Sequence, residues 1–247
     1  MTQYGFFFDQ SRCYGCQACA TACKDWNNIA PGPEKWMTVY EWETGAFPLT
    51  RLHTLAFSCG HCEHPACISA CPEGAILKEE QFGAVLVDGE KCVGCRECAK
   101  ACPYGAPKFA SDREGETMSK CTMCIDKLIK GDQPQCALAC PMRALDFGPL
   151  VDLVAKYGDG RALEGMPDTS ELKPAMVFKA MAERKELVPF DVGKIIELNA
   201  NRGDLPRLFE EGVEVTEIPE GIVLRNDLKM KHSSADDLMR ATRNDLG

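Results

Sequence analysis

A run of four cysteines between Lys91 and Pro103 has a spacing that can hold iron and sulfide. The run reads C-x2-C-x2-C-x3-C-P, a spacing with which bacterial iron–sulfur proteins bind a [4Fe–4S] cubane through thiolates. Three closely spaced thiolates bind one corner of a cluster, and the fourth points away. In two-cluster proteins that fourth thiolate binds the other cluster, so one run predicts a second run elsewhere in the chain.

Three further groups repeat this arrangement, and the four groups together contain all sixteen cysteines. Every group ends in C-x3-C, and proline follows three of the four groups. Because four thiolates bind one [4Fe–4S] cluster, the sequence predicts four clusters. The groups are Cys13, Cys16, Cys19 and Cys23 (group one); Cys59, Cys62, Cys67 and Cys71 (group two); Cys92, Cys95, Cys98 and Cys102 (group three); and Cys121, Cys124, Cys136 and Cys140 (group four).

Zinc sites and disulfides are the alternatives for so many cysteines. Zinc ribbons need two C-x2-C pairs roughly 12–20 residues apart, but they do not need a further cysteine at C-x3-C spacing. Disulfides are typical of small secreted proteins, and no secretory signal is recognised here. His61 and His64 lie beside group two, but sixteen thiolates already saturate four clusters. We therefore expect iron–sulfur clusters, with the two histidines in supporting or packing roles.

The composition argues against several functional classes. A formal net charge of −9 argues against a nucleic-acid surface, which needs clustered Lys and Arg. No run approaches the ~20 apolar residues of a membrane span, so we expect membrane association only through a partner. The first five residues lack a basic start, an apolar run and a twin-arginine pair. We therefore expect synthesis and cofactor loading in the cytoplasm, followed by retention there, membrane association through a partner, or export with a twin-arginine partner.

Cluster binding makes the chain still more acidic, because each oxidised cubane with four thiolates adds roughly −2. Backbone N–H groups and the cations Lys24, Lys100, Lys120 and Arg143 are expected to compensate this charge. The alternative for each cation is an ordinary solvated surface position. The sequence contains no nucleotide-binding loop and no hydrolase motif, so we expect the protein to transfer electrons without making or breaking bonds.

Short strands are predicted around the cysteine groups. The apolar residues Tyr4–Asp9 indicate a buried strand that leads into group one. An insertion at 25–57 contains two predicted strands, Trp36–Trp42 and Arg51–Phe57, and all three tryptophans, which we expect in the core or at a subunit contact. A second hairpin is predicted from Ala75–Lys78 and Ala84–Asp88.

The composition changes after Gly148, and cysteines are present only up to Cys140. A helix is predicted at Leu150–Tyr157, and strands are predicted at Lys194–Leu198 and Gly221–Leu224. A capping-box sequence beginning at Ser234 predicts a last helix. Since its apolar residues are too dispersed for a core of its own, we expect the segment 149–247 to wrap over the cluster domain or over another subunit.

Four passages resemble one family closely. Residues 1–149, about three fifths of the chain, resemble the iron–sulfur B subunit of dimethyl sulfoxide reductase and its relatives in polysulfide, thiosulfate and nitrite reductases and formate dehydrogenases. The resemblance implies two fused bacterial-type two-cluster ferredoxin units with inserted β-hairpins, whereas the residues after Phe147 depart from the family pattern. We therefore expect an α+β fold with a four-cluster ferredoxin-like domain at 1–148, including the insertion at 25–57, and an extended C-terminal tail at 149–247. The four passages are Tyr4–Phe7, Cys102–Pro107, Lys120–Cys124 and Arg143–Pro149.

The resemblance also implies a crossed set of ligands. Some relatives lack the second cysteine of group three and hold a [3Fe–4S] centre there, but Cys95 is intact, so four [4Fe–4S] clusters are expected. The implied quartets are A (Cys13, Cys16, Cys19, Cys140), B (Cys23, Cys121, Cys124, Cys136), C (Cys59, Cys62, Cys67, Cys102) and D (Cys71, Cys92, Cys95, Cys98).

The function implied by the resemblance is electron transfer in anaerobic respiration. The family's partner is a large catalytic subunit with a molybdenum or tungsten bis-pterin, often joined by a membrane anchor that exchanges electrons with quinone. The B subunit itself is not catalytic and passes single electrons through its clusters. A free polyferredoxin that docks transiently is the competing hypothesis, and a zinc-containing nucleic-acid-binding module is the alternative from another class.

Overall fold

Short strands and helices alternate with the cysteine groups along the chain. The computed structural model describes residues 2–32, 34–46, 50–182 and 200. Within these residues the strands are β1 (Tyr4–Asp9), β2 (Thr38–Thr44), β3 (Arg51–Phe57), β4 (Ile76–Lys78), β5 (Val85–Val87), β6 (Leu145–Pro149) and β7 (Met176–Lys179). The helices are α1 (Ala18–Trp26), α2 (Ala66–Ser69), α3 (Glu97–Ala101), α4 (Ile125–Leu128), α5 (Gln135–Leu138) and α6 (Leu150–Tyr157).

Most described residues belong to one compact unit, which contains those between 2 and 42 and between 52 and 181. Of the described residues, 43–46, 50–51, 182 and 200 belong to a second unit. No helix in the described part of the chain has both the length and the apolar character needed to cross a membrane. The fold is mixed helix and strand, as the sequence predicts.

Strand β1 is the centre of a three-stranded sheet, because its apolar residues are buried on both faces. Phe6 and Phe8 lie in the main hydrophobic core, whereas Phe7 packs on the opposite face with Leu153 and Val177. Strand β6 pairs with β1 in antiparallel register, and β7 pairs with its other edge in parallel register. The predicted strand at Tyr4–Asp9 is confirmed over its full length.

Helix α6 covers one face of this sheet and ends where the sequence predicts. The rings of Phe7 and Tyr157 stack with their centroids 3.6 Å apart. The helix stops at Gly158, whose φ of 88° is a left-handed conformation that glycine adopts readily. The predicted helix Leu150–Tyr157 is therefore confirmed, and it packs on the sheet that contains β1.

Both predicted hairpins form two-stranded sheets, β2 with β3 and β4 with β5. The first begins two residues later than expected, at Thr38. The tryptophans expected in the core or at a subunit contact differ in exposure: Trp42 is buried, Trp36 is partly buried, and Trp26 is 42% exposed. Trp26 donates a hydrogen bond to Asp126.

Strand β7 is the main element that the sequence did not predict. It is only four residues long and follows a turn-rich segment, so it lacks a periodicity that would mark it. Its register comes from long-range pairing, in which Phe6 lies opposite Met176 and Phe8 opposite Phe178. The compact unit thus continues past residue 148, the predicted domain boundary, to Met181. The predicted strands at 194–198 and 221–224 and the helix from Ser234 lie outside the described residues.

Candidate metal centres

Four cavities in the described part of the chain are each lined by four cysteines. Each cavity gathers three cysteines from one group and the final cysteine of another group, so the chain must fold back on itself to complete every set. The sets are Cys13, Cys16, Cys19 and Cys140; Cys23, Cys121, Cys124 and Cys136; Cys59, Cys62, Cys67 and Cys102; and Cys71, Cys92, Cys95 and Cys98. These sets have the same members as the quartets A, B, C and D expected from the resemblance.

The four thiols of each quartet suit an iron–sulfur cluster. Thiolates are soft ligands, and four of them are the donor set of a [4Fe–4S] cluster. Among the residues that the structure describes, no three His, Cys, Asp or Glu side chains lie close enough together to hold a single metal ion. Because each cavity has this four-thiol donor set, the residues present fit the cluster that the spacing predicts. The assignment of each quartet to one cluster remains a prediction.

The loop after the first cysteine of each group turns through a left-handed residue. This residue always lies two positions after that cysteine, at Gly15, His61, Gly94 and Met123. Where it is His61 or Met123, its backbone N–H donates to the sulfur of Cys59 or Cys121 over 3.4 Å. A left-handed conformation costs an L-residue about 1–2 kcal/mol, so we infer that packing around His61 and Met123 maintains these two loops.

A second left-handed turn follows the last cysteine of three groups, three positions on, at Gly74, Gly105 and Arg143. In two of these groups the backbone N–H of the next residue donates to the cysteine sulfur. Ala75 donates to Cys71 over 3.3 Å, and Ala144 donates to Cys140 over 3.2 Å. The proline after each of these cysteines has no N–H to donate, so the backbone donors to sulfur come from after the turn. Such hydrogen bonds help to set the potential of a cluster.

Burial makes the thiols reluctant to ionise by themselves. Loss of water raises the pKa of every thiol named below, because it disfavours the charged thiolate. The pKa is raised to about 12 for Cys19, Cys62 and Cys67 and to about 11 for Cys98 and Cys121, and it lies well above the usual value for Cys136. Since metals bind thiolates, cluster binding must displace these protons.

The C-x3-C ending of each group connects two quartets through about one helical turn. Cys19 of quartet A and Cys23 of quartet B lie four residues apart on α1, which places them on the same face of the helix. Helix α5 carries Cys136 of quartet B and ends just before Cys140 of quartet A. Helices α2 and α3 connect quartets C and D in the same way.

Quartets B and C also meet directly. Cys59 of quartet C and Cys121 of quartet B belong to one small cluster of buried residues, against which Cys102 of quartet C packs. Quartet A therefore lies beside B, B beside C, and C beside D. The sequence alone did not predict this order.

The quartets differ in their exposure to solvent. Quartet A contains the exposed Cys16, and quartet D contains the exposed Cys95. Two positions before these cysteines, Tyr14 and Val93 are 57% and 53% exposed. All four cysteines of quartet B are buried, and none of quartet C is exposed. We call A and D the outer quartets, and B and C the inner quartets.

Of the four cations expected to compensate cluster charge, only Lys120 is buried, at 2% exposure. Lys100 and Arg143 are exposed, and Lys24 donates to the backbone oxygens of Ala30 and Gly32. Lys100 and Arg143 therefore fit an ordinary solvated surface position better than Lys120 does.

The two histidines beside group two have different environments. His61 is fully buried, and its Nδ1 accepts a hydrogen bond from the Val85 N–H over 2.9 Å. Burial, with the charges of Lys120 and Lys78, lowers the pKa of His61 well below its usual value, so the ring is neutral and carries its proton on Nε2. This Nε2 has no partner among the described residues. His64 lies near Glu63, and both side chains are mostly exposed.

Sequence reasoning missed two polar residues beside the cysteines. Asn27 donates from Nδ2 to the backbone oxygen of Cys23 over 2.8 Å and lies 3.7 Å from its sulfur. The signal that could have found it is its spacing of four residues from Cys23, which places the two on one face if that segment is helical. Lys78 donates to the backbone oxygen of Cys62 over 2.7 Å, a contact that only the folded chain creates.

Comparison with known proteins agrees with the cysteine pattern. Family models for a 4Fe-4S dicluster domain match residues 12–76 and residues 50–150, which fits a fused ferredoxin-like arrangement. The B chain of the anaerobic dimethyl sulfoxide reductase of Escherichia coli (strain K12) is 42% identical over 192 residues, covering 74% of this chain and 92% of the relative.

Two relatives with other enzyme names show the same likeness. The B subunit of the sulfite dehydrogenase of Allochromatium vinosum is 40% identical over 172 residues, covering 62% of this chain and 71% of the relative. The thiosulfate reductase electron transfer subunit PhsB of Salmonella typhi is 38% identical over 150 residues, covering 60% of this chain and 77% of the relative. All three relatives are named as a chain or subunit of a reductase or dehydrogenase.

Proposed function

Since this protein belongs to the family of iron–sulfur B subunits of dimethyl sulfoxide reductase and its relatives, we propose that it is the electron-transfer subunit of a molybdenum or tungsten bis-pterin oxidoreductase. The observation that carries the proposal is the row of four cysteine quartets, each beside the next. A row of redox centres joins two surface positions, which suits transfer between two partners.

In this proposal each quartet holds one [4Fe–4S] cluster, which supplies one-electron redox chemistry when bound. The chain's own residues hold the clusters through sixteen thiolates and donate backbone N–H groups to several sulfurs. The inner quartets are shielded from water by buried residues such as Met123 and His61. The outer quartets bring Cys16 and Cys95 to the surface, where a partner's redox centre can approach. No residue of this protein makes or breaks substrate bonds.

The partners in this proposal are a large bis-pterin catalytic subunit at one outer quartet and a second redox partner at the other. The second partner is a soluble carrier or a quinone-linked membrane subunit. The relatives named above are components of enzymes, which favours a permanent subunit over a free polyferredoxin. We place the protein in the cytoplasm, at the membrane through its partner, or exported together with a twin-arginine partner.

Co-purification tests this proposal. The full-length chain, tagged and isolated anaerobically from its native host, should be recovered with a stoichiometric large subunit that contains molybdenum or tungsten. The partner's substrate or product should then reduce or oxidise the clusters, observed as a change in absorption near 400 nm. Recovery of a fully cluster-loaded chain without a large subunit would contradict the proposal and support the free polyferredoxin.

The C-terminal segment has its own place in the proposal. We infer that the C-terminal extension at 149–247 covers part of the cluster domain or of the catalytic subunit. Limited proteolysis of the isolated chain should cleave first beyond residue 182, and the intact complex should protect those sites. Equal resistance of the whole chain in isolation would contradict this role.

A further inference from the structure

One buried cation lies between the two inner quartets. Lys120 lines the cavity of quartet C and directly precedes Cys121 of quartet B. Its Nζ donates to the backbone oxygens of Val85 and Cys121, the latter over 3.0 Å. With 2% of its surface exposed, the ammonium is held at this boundary by hydrogen bonds and packing.

The charge of Lys120 has no acidic partner in the described part of the chain. Ten ion pairs are found among the described residues, and Lys120 belongs to none of them. His61, whose Nδ1 accepts a hydrogen bond from the same Val85, and the cation Lys78 also lie close to this site, and neither is an acid. A buried charge without a counter-charge is strongly unfavourable, so a negative group must come from elsewhere.

Lys120 contacts both inner quartets. Its side chain lines the cavity of quartet C, and its Nζ donates to the backbone oxygen of Cys121 in quartet B over 3.0 Å. A single cation therefore stabilises negative charge on both sides of the boundary. The only negative groups that the proposed function puts there are the thiolate-ligated clusters.

We propose that Lys120 is the shared counter-ion of the inner clusters B and C, and that its fixed charge raises the reduction potentials of both. This inference rests on the proposed function, because it requires clusters in those quartets. Reduction adds one negative charge to a cluster, and a nearby cation stabilises the reduced state more than the oxidised state. Lys120 is thus a positioning residue: it places a positive charge where that charge favours reduction of clusters B and C, in the middle of the row.

The test is a redox titration of the full-length chain, loaded with clusters and monitored by EPR. In Lys120→Met, the ratio of reduced to oxidised cluster at a fixed potential should fall at least tenfold for B and C, equivalent to about 59 mV for a one-electron couple. Clusters A and D should change less than twofold. Lys120→Arg keeps the charge and should keep all four ratios. Signals are assigned with Cys→Ser variants of each quartet.

Lys100 provides a matched control. It lies between Cys98 and Cys102 in the sequence, but it is exposed and paired with Glu97 over 2.6 Å. In Lys100→Met, the ratio of reduced to oxidised cluster should stay within twofold of its value in the unsubstituted chain for every cluster. An equal effect of Lys100→Met and Lys120→Met, or an unchanged titration of fully loaded Lys120→Met, would overturn the inference while leaving four clusters and the proposed function intact.

Iron analysis keeps the test decisive if the Met variant assembles poorly. Lys120→Gln is neutral but can still donate a hydrogen bond, so it should show the same tenfold change. If both neutral variants lose iron from B and C alone while Lys120→Arg keeps it, the charge acts on those two clusters and the inference is supported. Loss of iron from all four quartets would indicate a purely structural lysine and would overturn it.

Discussion

The cysteine loops differ between the outer quartets A and D and the inner quartets B and C. Every quartet gathers four cysteines, but the loops that hold them use different residues. In the outer loops the left-handed residue after the first cysteine is Gly15 or Gly94, whereas in the inner loops it is the fully buried Met123 or His61. The outer groups keep the compact C-x2-C-x2-C spacing, whereas the inner groups have a longer second interval, C-x4-C in group two and C-x11-C in group four.

This difference shows how one chain makes two kinds of redox site. Each loop with glycine at this position has an exposed thiol, at Cys16 and Cys95. A loop with a buried side chain at the same position is anchored in the core and keeps water away from the sulfurs. Exposure and hydrogen bonding both tune cluster potential, so inner and outer clusters should differ in potential as well as in access.

The largest expected effect comes from removing a ligand, which should separate the two classes. Cys136→Ser and Cys95→Ser should each lower the iron content from about sixteen to about twelve per chain and block transfer along the row. Only Cys136→Ser should also destabilise the fold, by about 1–3 kcal/mol, because its hydroxyl is buried without a natural partner. Iron analysis, EPR integration and urea unfolding measure these effects. Unchanged EPR integration in Cys95→Ser would count against the assignment of quartet D.

Truncating the residue that anchors an inner loop should have the next largest effect. Met123→Ala removes a fully buried side chain and should cost about 2–5 kcal/mol of unfolding free energy, with faster loss of cluster B on heating. The control is Met142→Ala beside outer quartet A, where the side chain is 48% exposed and the expected change is within about 0.5 kcal/mol. Similar urea midpoints for the two variants would remove the distinction between anchored and surface loops.

Replacing the loop glycine of each outer quartet with alanine tests how tightly that loop is packed. At Gly94 (φ +70°) an added Cβ would lie 2.5 Å from the backbone oxygen of Glu116, whereas at Gly15 (φ +78°) it would meet the movable end of the Glu41 side chain. Gly94→Ala should cost about 1–3 kcal/mol and Gly15→Ala less. The measurement is urea unfolding of the loaded chain, and a larger cost at Gly15 would contradict the described packing.

The smallest expected effect on stability comes from breaking one ion pair beside an inner quartet and one beside an outer quartet. Asp132 near quartet B pairs with the buried Lys127, and Asp88 near quartet D pairs with the exposed Lys91, both over 3.0 Å. The hydrogen bond from each lysine lowers the pKa of its aspartate, so each pair stabilises the fold at pH values above the unfolded-state pKa of about 3.9. This contribution is lost as pH falls through the lowered folded-state pKa.

Asp132→Asn should therefore reduce the urea midpoint more than Asp88→Asn at pH 7. Screening by water weakens the exposed pair, so the urea midpoint of Asp88→Asn should be close to that of the unsubstituted chain. The change in urea midpoint caused by each substitution should stay constant between pH 6 and pH 8. An effect that grows as the pH falls in this range would contradict the assignment of these carboxylates as ionised partners.

The sequence predicted those features that depend on spacing or on continuous apolar runs. Group membership, the strand at Tyr4–Asp9, both hairpins and the helix at Leu150–Tyr157 follow from local patterns. Strand β7 was missed because four residues carry too little local signal, and its edge pairing with β1 is a long-range choice.

Features set by tertiary packing could not be predicted from the residues alone. Lys24, Lys100, Lys120 and Arg143 are equivalent as basic residues near cysteines, yet only Lys120 is buried. The order of the quartets depends on which buried residues pack together, such as Cys59 with Cys121. The left-handed conformation of Met123 is likewise imposed by the fold, because a bulky side chain rarely adopts it.

The most direct test of the central claim is the metal content of the full-length chain prepared without oxygen. Sixteen thiols in four quartets predict about sixteen irons and a similar number of acid-labile sulfides per chain, in a brown protein with broad absorption near 400 nm. A colourless protein that contains zinc, or one with far fewer than about sixteen irons after anaerobic preparation, would contradict the claim.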